Sequence, residues 1–295
     1  MTIVIAGGSG FLGRKLVKRL KDDGHSVTIL TRQPSGATDV KWTPDGTAGT
    51  LPRHVDGQDV VINLAGENLG QRWTAARMEA LRGSRIMATR TLVRAVAQCA
   101  RAPKVFISAS ACGYYGPRGD EPITEAAPTG SDYLARLCVE WEQEARPVES
   151  PSTRLAIVRT GIALARDGGA LGKMLLPFKL GLGATLGSGD QFMPRIHADD
   201  WTALVSWLVQ NDRATGAFNA SAPAPVTNRT FTRTLGRVLR RPAVLHAPAF
   251  ALQAILGEMS TILLNGQRML PAYAEQLGFR FTHRTLEPAL RSLNL

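Results

Sequence analysis

The sequence predicts an α/β fold in which a doubly wound parallel sheet carries a smaller, mainly helical C-terminal region. Three observations predict it. An apolar run at residues 2–6 leads directly into a glycine-rich turn and an amphipathic helix. Further β-branched runs follow, and helical patterns separate them, as in the βαβ units of a parallel sheet. Beyond residue 220 the apolar residues recur mainly at helical spacing.

The composition supports a large folded core. The chain has 295 residues, of which 44% are hydrophobic and 20% are charged, and this balance excludes wholesale disorder. The longest apolar stretch, residues 249–264, is interrupted by polar residues and a glycine, so it predicts an amphipathic or buried helix and not a membrane span. Three cysteines lack Cys-x-x-Cys spacing, and no basic stretch precedes the first strand. We therefore expect a cytoplasmic protein without a disulfide framework.

The charge balance is basic, with 35 Lys and Arg against 24 Asp and Glu and a net charge of +11. Such an excess suits nucleic acid, an anionic surface or a phosphorylated ligand. The arginines are spread along the chain without a zinc-finger, RNP or basic-zipper pattern, so nucleic acid is not the expected partner. The five histidines show no metal-ligand spacing, and we expect no metal site. The expected partner is a small-molecule substrate. The sequence does not decide between a monomer and a homodimer.

The first unit of the chain is a βαβ unit. Residues 2–6 form a strand, the turn that follows has glycines at 7, 10 and 13, and the next helix is amphipathic. Residues 26–30 form a second apolar strand. A right-handed crossover makes the two strands parallel, which predicts a Rossmann-type domain.

The glycine turn predicts a dinucleotide site. Because the turn lacks side chains, its backbone N–H groups can approach a pyrophosphate, and the N-terminus of the helix adds partial positive charge. The expected contacts come from the turn and the helix start: Gly7, Gly10, Phe11, Leu12 and Gly13.

The residue after the second strand predicts which cofactor binds. NAD-binding proteins usually place Asp or Glu there to accept hydrogen bonds from the ribose, but this chain has Arg32 and no carboxylate before Asp39. A guanidinium suits the 2′-phosphate of NADP(H), and one charge-assisted contact contributes about 1.5–3 kcal/mol. We therefore expect NADP(H), with a further hydroxyl contact from Thr31. The alternative is that Arg32 is an ordinary solvated surface arginine.

Several short motifs extend this pattern along nearly the whole chain. They are the apolar strands at residues 59–66 and 105–111, Ser84-Arg-Ile86, Gly113-Tyr-Tyr-Gly116, Leu137-Cys-Val-Glu-Trp-Glu142, Arg159-Thr-Gly161, Ile196-His-Ala-Asp-Asp200, Pro225-Val-Thr-Asn228, Leu256-Gly-Glu-Met259 and Gly266-Gln-Arg. With these motifs the chain resembles the short-chain dehydrogenase/reductase superfamily, in its atypical or extended, epimerase-like branch. Within that branch it resembles the YfcH-like subgroup of "epimerase family proteins", which end in a C-terminal domain of unknown function.

The resemblance implies further cofactor contacts. It places a turn after the third predicted strand beside the cofactor, namely Asn63, Leu64, Ala65 and Gly66. It places the end of the next strand, at Ser108, near the nicotinamide. It also aligns Arg136 with the lysine that holds the nicotinamide ribose in ordinary members, although an arginine stays charged and cannot relay a proton.

The catalytic residues of ordinary members are only partly present. Those members use Ser, Tyr and Lys, with Tyr four residues before Lys. Ser110 matches the serine, but the tyrosine position falls on Asp132, and Tyr133 lies one residue late, about 100° round a helix. We expect catalysis by Ser110 with Tyr114 or Tyr115 as the proton donor. Asp132 as the base, or tyrosines that only line the pocket, are the alternatives.

The remainder of the chain is expected to build the substrate side. The NADP(H)-binding domain is predicted at 1–165, completed by 196–220, with 166–295 forming a lid and a mainly helical region. The glycine-rich residues 166–189 are the lid candidate. Asp199 or Asp200 is expected to cap the helix that begins near residue 200. Further helices are predicted at 73–99, 227–239, 249–264, 268–277 and 286–293.

These features predict an NADP(H)-dependent oxidoreductase or epimerase that acts on a small carbonyl, hydroxyl or sugar-nucleotide-like compound. In such an enzyme the cofactor supplies the difficult chemistry and the protein aligns it. The missing Tyr-x-x-x-Lys pair supports an alternative, which is a catalytically inactive NADP(H)-binding regulator or scaffold.

Overall fold

A computed structural model describes the whole chain, residues 1–295. The strands are β1 (Thr2–Ala6), β2 (Ser26–Thr31), β3 (Asp39–Lys41), β4 (Val60–Asn63), β5 (Val105–Ala111), β6 (Pro122–Ile123), β7 (Arg154–Thr160), β8 (Ile162–Leu164), β9 (Ala184–Leu186), β10 (Phe192–Met193), β11 (Arg195–His197), β12 (Gly216–Ala220), β13 (Val226–Thr227), β14 (Leu245–Ala247) and β15 (Arg268–Met269). The helices are α1 (Phe11–Asp22), α2 (Pro52–Val55), α3 (Ala75–Val96), α4 (Tyr133–Ala145), α5 (Gly169–Lys179), α6 (Ala198–Gln210), α7 (Asn228–Leu239), α8 (Ala249–Leu256), α9 (Thr261–Leu264), α10 (Ala272–Gln276) and α11 (Leu286–Ser292).

Seven parallel strands form the central sheet in the order β3-β2-β1-β4-β5-β7-β12. The chain works outward from β1 to one edge and then returns to fill the other side, so the strand order reverses between β1 and β4. A crevice opens at the carboxyl ends of the strands at such a reversal, and ligands of open α/β sheets bind there. The predicted doubly wound parallel sheet is therefore confirmed.

The sheet is buried on both faces because its strands are apolar throughout. On one face, β1 side chains such as Ile3 and Ile5 pack against α1 and α6. On the other face, Val4 packs with α2, α3 and the C-terminal end of α4. No helix combines the length and hydropathy that crossing a membrane requires.

The C-terminal region packs on the sheet domain through one apolar cluster and on the lid candidate through another. Phe279 and Phe281 join the same cluster as α1 and α6. A third cluster unites α5, α7 and α11 through residues such as Leu175, Phe231 and Leu290. The lid candidate therefore contains a helix that packs against the C-terminal helices. The division of the chain into an NADP(H)-binding domain at 1–165, completed by 196–220, and a second region at 166–295 stays a prediction.

Three local predictions were wrong. The stretch predicted as one helix at 249–264 is broken at Gly257, whose φ of +59° interrupts the helix between α8 and α9. Residues 268–277 begin as strand β15, which pairs with β6, and only then form α10. His197 caps α6 instead of Asp199 or Asp200, because its ring nitrogen accepts the backbone N–H of Asp199.

Candidate functional site

The glycine turn lies against the chain that leaves β4. Gly7 has a φ of +80°, and a Cβ there would stand 2.7 Å from the backbone carbonyl carbon of Leu64. At Gly13 a Cβ would stand 2.1 Å from the carbonyl oxygen of Gly7. Both contacts are far too short for a side chain, so glycine is required to bring turn, helix and β4 this close.

The start of α1 presents unpaired hydrogen-bond donors. Gly10 is the N-cap and offers no side-chain acceptor, so the backbone N–H groups of Phe11, Leu12 and Gly13 have no partner within the chain. No acidic side chain lies in this first turn. Unpaired N–H groups at the positive end of a helix dipole are able to bind an anion.

The ring of Phe11 closes one side of this turn. A Cβ at Gly168 would stand 2.5 Å from that ring, and one at Gly169 would stand 2.9 Å from it. Nearby, Lys15 forms an ion pair with Asp167 at 2.8 Å. The beginning of the predicted lid segment thus rests directly on the glycine turn and on α1.

Arg32 lies at the end of β2 with 75% of its side chain exposed, and its Nη1 is 3.8 Å from a carboxylate oxygen of Glu67. Arg77 also pairs with Glu67, at 3.3 Å. The hydroxyl of Thr31 accepts the backbone N–H of Gln33 and shapes the loop after the strand. The guanidinium of Arg32 is therefore available to an anion at this edge of the crevice.

The turn after β4 is fixed by internal hydrogen bonds. The buried side chain of Asn63 donates to Thr89 and accepts from the backbone of Ala65. The backbone of Leu64 donates to β1, and Gly66 packs against the buried Arg85. Asn63 therefore shapes the turn with its side chain, while Leu64, Ala65 and Gly66 form the wall next to the glycine turn.

Ser108 and Ser110 lie near the carboxyl end of β5, and the predicted position of Ser108 near the nicotinamide stays a prediction. They share the face of β5 that carries the buried Phe106, and both are almost fully buried. The hydroxyl of Ser110 donates to a carboxylate oxygen of Glu142 at 2.7 Å, and Ser110 is only 3% exposed. Its catalytic role stays a prediction, and the contacts show that its hydroxyl is already engaged.

Beneath the carboxyl end of β5 lies a group of connected side chains that we term the buried polar cluster. At its centre, Arg159 makes a bidentate ion pair with Glu142, with both nitrogen–oxygen distances at 2.8 Å. These two side chains are only 4% and 3% exposed. The members of the cluster are Ser110, Tyr115, Glu125, Glu142, Arg159 and Asn219.

Tyr115 is an interior member of this cluster. Its hydroxyl donates to the side-chain oxygen of Asn219 at 2.7 Å and accepts from Arg159 at 2.9 Å. Burial raises the pKa of Tyr115 to about 12, although the nearby Arg159 opposes the shift. With both hydrogen-bonding sites occupied and no exposed surface, its predicted catalytic role also stays a prediction.

Glu125 ties the buried polar cluster to the C-terminal region. Its two carboxylate oxygens accept the backbone N–H groups of Asn219 and Tyr273. Burial raises the pKa of Glu125, and the two hydrogen bonds reduce that shift. The half-buried carboxyl group of Glu125 therefore links α10 to β12.

Tyr114 differs from its neighbour Tyr115. It is half-buried, and its ring lies against the guanidinium of Arg159, whose central carbon is 3.4 Å from the ring centroid. Its backbone oxygen accepts from Gly130 and Thr129, but its hydroxyl has no partner within the chain. Tyr114 thus presents a held ring with a free hydroxyl at the carboxyl edge of the sheet.

The helix that carries the catalytic pair in ordinary members is used structurally at its start. The carboxylate of Asp132 accepts the backbone N–H of Ala135 and caps α4. The hydroxyl of Tyr133 donates to the carbonyl of Met78 at 2.7 Å. Arg136 is exposed, and its guanidinium donates to the carbonyl of Ser131. Its predicted contact with the cofactor ribose stays a prediction.

One histidine that looked isolated in the sequence has close neighbours in the fold. The ring of His283 stacks on His197 with 3.8 Å between the centroids, and Asp199 lies beside them. Ligand atoms of these three residues lie within 4.8 Å of one another. Because the Nδ1 of His197 already accepts the backbone N–H of Asp199, this nitrogen serves as a helix cap.

Sequence reasoning missed the chemistry of the buried polar cluster. The sequence motifs contained Glu142 and Arg159 but indicated no role for them. Their ion pair joins α4 to β7. The contact of Tyr115 with Asn219 spans 104 positions. No local spacing signals such contacts. A buried arginine at the end of a parallel strand was the one available hint, since an arginine in an apolar run requires a partner.

Comparisons with known proteins agree with this geometry. Residues 3–221 match the model of a family described as the NAD dependent epimerase/dehydratase family, and residues 247–293 match a domain of unknown function, DUF1731. The chain is 38% identical to "Epimerase family protein SDR39U1 homolog, chloroplastic" of Arabidopsis thaliana, covering 99% of this chain and 86% of that protein. It is 40% identical to "Epimerase family protein ML0860" of Mycobacterium leprae, covering 98% of this chain and 94% of that protein.

The predicted cytoplasmic location stays a prediction.

Solved structures show the same likeness. A crystal structure of human epimerase family protein SDR39U1 with NADPH has a TM-score of 0.92 and 33% sequence identity, covering 99% of both chains. A nucleoside-diphosphate sugar epimerase from Corynebacterium glutamicum has a TM-score of 0.82 and 32% identity, covering 99% of this chain and 58% of that one.

Proposed function

The chain belongs to the NAD dependent epimerase/dehydratase family, and on that premise we propose that it is an NADP(H)-dependent oxidoreductase or epimerase. We propose a small carbonyl, hydroxyl or sugar-nucleotide-like compound as its substrate. The cofactor part of the proposal agrees with the human relative, which was crystallised with NADPH. The substrate part rests on the family alone.

One observation carries the cofactor assignment, and it is the start of α1. Three unpaired backbone N–H groups lie beside a turn whose glycines leave no room for a side chain. The residues present therefore fit a dinucleotide. Phe11, Leu12 and Gly13 would hold the pyrophosphate, and the turn at Leu64–Gly66 would form the facing wall. When bound, the nicotinamide supplies the hydride chemistry.

Selectivity for NADP(H) is assigned to Arg32. Its exposed guanidinium at the end of β2 has one carboxylate near it, at 3.8 Å, a distance that leaves its donors free for a 2′-phosphate. A hydrogen bond to a charged group contributes about 1.5–3 kcal/mol, so Arg32→Ala should weaken NADPH binding roughly 10- to 150-fold. NADH, which lacks this phosphate, should bind both forms alike.

Fluorescence titration of NADPH and NADH tests this assignment. The matched control is Arg53→Ala, because Arg53 is also exposed but lies on α2 and should leave both affinities unchanged. If the unmodified protein binds NADPH and NADH equally well, Arg32 does not select the phosphate and the cofactor assignment is wrong.

For proton transfer we propose Tyr114. Its ring is held against Arg159, and its hydroxyl is free to give a proton to a substrate oxygen or to take one from it. A positioned general acid typically contributes about 100- to 10,000-fold to a rate. Ser110 and Tyr115 would then act as positioning residues, since both belong to the buried polar cluster that holds Arg159 in place.

A screen of NADPH consumption against carbonyl compounds and sugar nucleotides tests the reaction. With any substrate that turns over, Tyr114→Phe should reduce the rate by about 100-fold or more and leave the affinity for NADPH unchanged. Undiminished turnover in Tyr114→Phe would remove this residue from the mechanism without affecting the cofactor proposal.

The occupied positions of α4 favour a second candidate, an NADP(H)-binding regulator without turnover. Asp132 caps the helix and the hydroxyl of Tyr133 is bonded to a backbone carbonyl, so neither is free to replace the missing pair. This candidate predicts NADPH binding with no turnover, and a partner whose affinity depends on the redox state of the cofactor. Equal partner affinity with NADP, with NADPH and without cofactor would contradict it.

A further inference from the structure

One side of the molecule exposes large apolar side chains. Seven of the eight large apolar residues with exposed side chains lie on α5 and the loop that follows it, at the start of β14 and on α8. We term these residues and the elements that carry them the exposed apolar face. Its members are Leu176, Leu180, Leu182, Val244, Leu245, Phe250 and Ile255.

Hydrogen bonds connect the α5, β9 and β14 part of this face, and α8 follows it along the chain. The end of α5 adjoins the segment before β14, because the side chain of Arg241 donates to the carbonyl of Lys179. The backbone of Leu245 donates to Gly183, and β14 then pairs with β9 in parallel. Helix α8 begins two residues after β14 ends.

Helix α8 is apolar yet contributes nothing to the core. Seven of its eight residues are Ala, Phe, Leu or Ile, and none of the eight is buried. Phe250 is 73% exposed and Ile255 is 68% exposed. Contiguous exposed apolar surface of this kind marks a protein or membrane contact.

Cations outnumber carboxylates around this face, although Asp190 and Glu258 border it. Residues 168–189 and 228–257, which carry the whole face, contain seven Lys and Arg and no Asp or Glu. Lys179 and Arg240 are exposed and have no carboxylate partner, whereas Arg229 pairs with Asp190 and Arg237 pairs with Glu287 on the neighbouring α11. Two exposed cations without a carboxylate partner, Lys179 and Arg240, therefore belong to the segments that carry the exposed apolar side chains.

We propose that the exposed apolar face docks on the surface of an anionic phospholipid bilayer. Apolar side chains would enter the boundary between headgroups and acyl chains, while the surrounding cations would contact anionic headgroups. A second copy of the chain fits less well, because pairing this face with itself opposes like charges. Nucleic acid fits less well, because Phe250 is the one aromatic member on which a base could stack and the other six members are aliphatic.

Co-sedimentation of the full-length protein with vesicles tests the proposal. One set of vesicles contains phosphatidylcholine alone, and the other contains phosphatidylcholine with phosphatidylglycerol. We expect binding to the second set that weakens as salt is raised above about 0.15 M. Equal binding to the two sets, or no binding to either, would overturn the proposal.

Two variants separate the contributions of charge and of apolar surface. Lys179→Gln with Arg240→Asn should lower the partition coefficient about 30-fold, from about fivefold for each cation; asparagine tolerates the positive φ of Arg240. Phe250→Ser with Ile255→Ser should lower it at least about tenfold.

The matched control for charge is Lys21→Gln with Arg53→Gln. These two exposed cations lie on α1 and α2, and binding should be unchanged. NADPH affinity and thermal midpoint, measured for every variant, confirm that each one is folded. If Phe250→Ser with Ile255→Ser converts a dimer to a monomer and leaves vesicle binding unchanged, the face is an interface between copies and the proposal is wrong.

Discussion

The ion pair between Glu142 and Arg159 gives the sharpest stability prediction. In Glu142→Gln the side chain keeps its size but loses the charge that faces Arg159 at two distances of 2.8 Å. It also loses the charged acceptor of the Ser110 hydroxyl, at 2.7 Å. The guanidinium then stays in the interior without a counter-charge, because the pair is only 3–4% exposed.

The magnitude follows from this burial. Removing one partner of a buried ion pair costs about 3–5 kcal/mol, because the other charge remains desolvated. In a chain of this size, about 1 kcal/mol corresponds to roughly 2 °C, so the unfolding midpoint should fall by roughly 6–10 °C. The pair also holds a raised pKa for Arg159: burial lowers that pKa, and the hydrogen bonds and charge of Glu142 more than reverse the effect. Without the charge of Glu142, burial lowers the pKa of Arg159, but an arginine starts above about 12, and even the buried Arg195, which has no ion-pair partner, keeps a pKa of about 10. Arg159 therefore stays charged in the variant at neutral pH and cannot avoid the penalty by losing its proton.

Urea and thermal unfolding measure this loss, and the double variant Glu142→Leu with Arg159→Met is the control. Removing both charges should be less destabilising than Glu142→Gln, since no unpaired charge stays buried. A loss below about 1 kcal/mol in Glu142→Gln is what an exposed pair shows, and it would refute the idea that this pair is desolvated and structural.

Three further predictions test other parts of the structure. Gly13→Ala should weaken NADPH binding at least about tenfold, because the new Cβ collides with the glycine turn. Gly83→Ala is the control, because the space around Gly83 is open and the affinity should not change. Equal NADPH affinities for the two variants would contradict the assignment of the glycine turn to the cofactor. Burial and then the adjacent His283 lower the pKa of His197, so this group stabilises the fold above its unfolded pKa of about 6.5, and that stability is lost as pH falls through the lower folded value. His197→Asn keeps a cap acceptor and should reduce the slope of unfolding free energy below about pH 6.5 by up to about 1.4 kcal/mol per pH unit, and an unchanged slope in urea titrations would count against it. Tyr133→Phe should lower stability by about 1 kcal/mol through the lost bond to a backbone carbonyl without changing turnover, and a large fall in turnover would return Tyr133 to the mechanism.

The fold was predictable because its determinants are local. The β1–turn–α1–β2 unit follows from an apolar run, three glycines and an amphipathic helix in thirty consecutive residues. The family resemblance predicted from short motifs is confirmed over residues 3–221 and 247–293. Where local patterns failed, a tertiary contact decided the outcome. The stretch after Gly266 is a strand because β6 offers it a partner, and a local pattern contains no sign of that partner.

The catalytic side was less predictable because the same residue types serve structure and chemistry. A serine at the end of a parallel strand followed by two tyrosines suggested a reaction centre. The face of the strand on which each side chain lies, however, decides what that side chain contacts. Ser110 shares the face of Phe106 and meets Glu142 in the interior. The hydroxyl of Tyr115 accepts a hydrogen bond from Arg159 in the interior. Tyr114, one residue earlier, contacts Arg159 with its ring and is only half-buried.

Whether the protein is an enzyme or a regulator can therefore be tested at one hydroxyl group, that of Tyr114. On α4, Asp132 and Tyr133 are engaged by the backbone, and Arg136 stays charged. Ser110 is bonded to a buried carboxylate, which leaves Tyr114 as the side chain near β5 with a free hydroxyl and a fixed ring. If turnover exists and disappears in Tyr114→Phe, the lost tyrosine has been replaced from the loop after β5. If turnover persists, the proton comes from water or from the substrate. If no compound turns over while NADPH binds, the glycine turn is retained for sensing the cofactor, because its geometry requires no catalytic group.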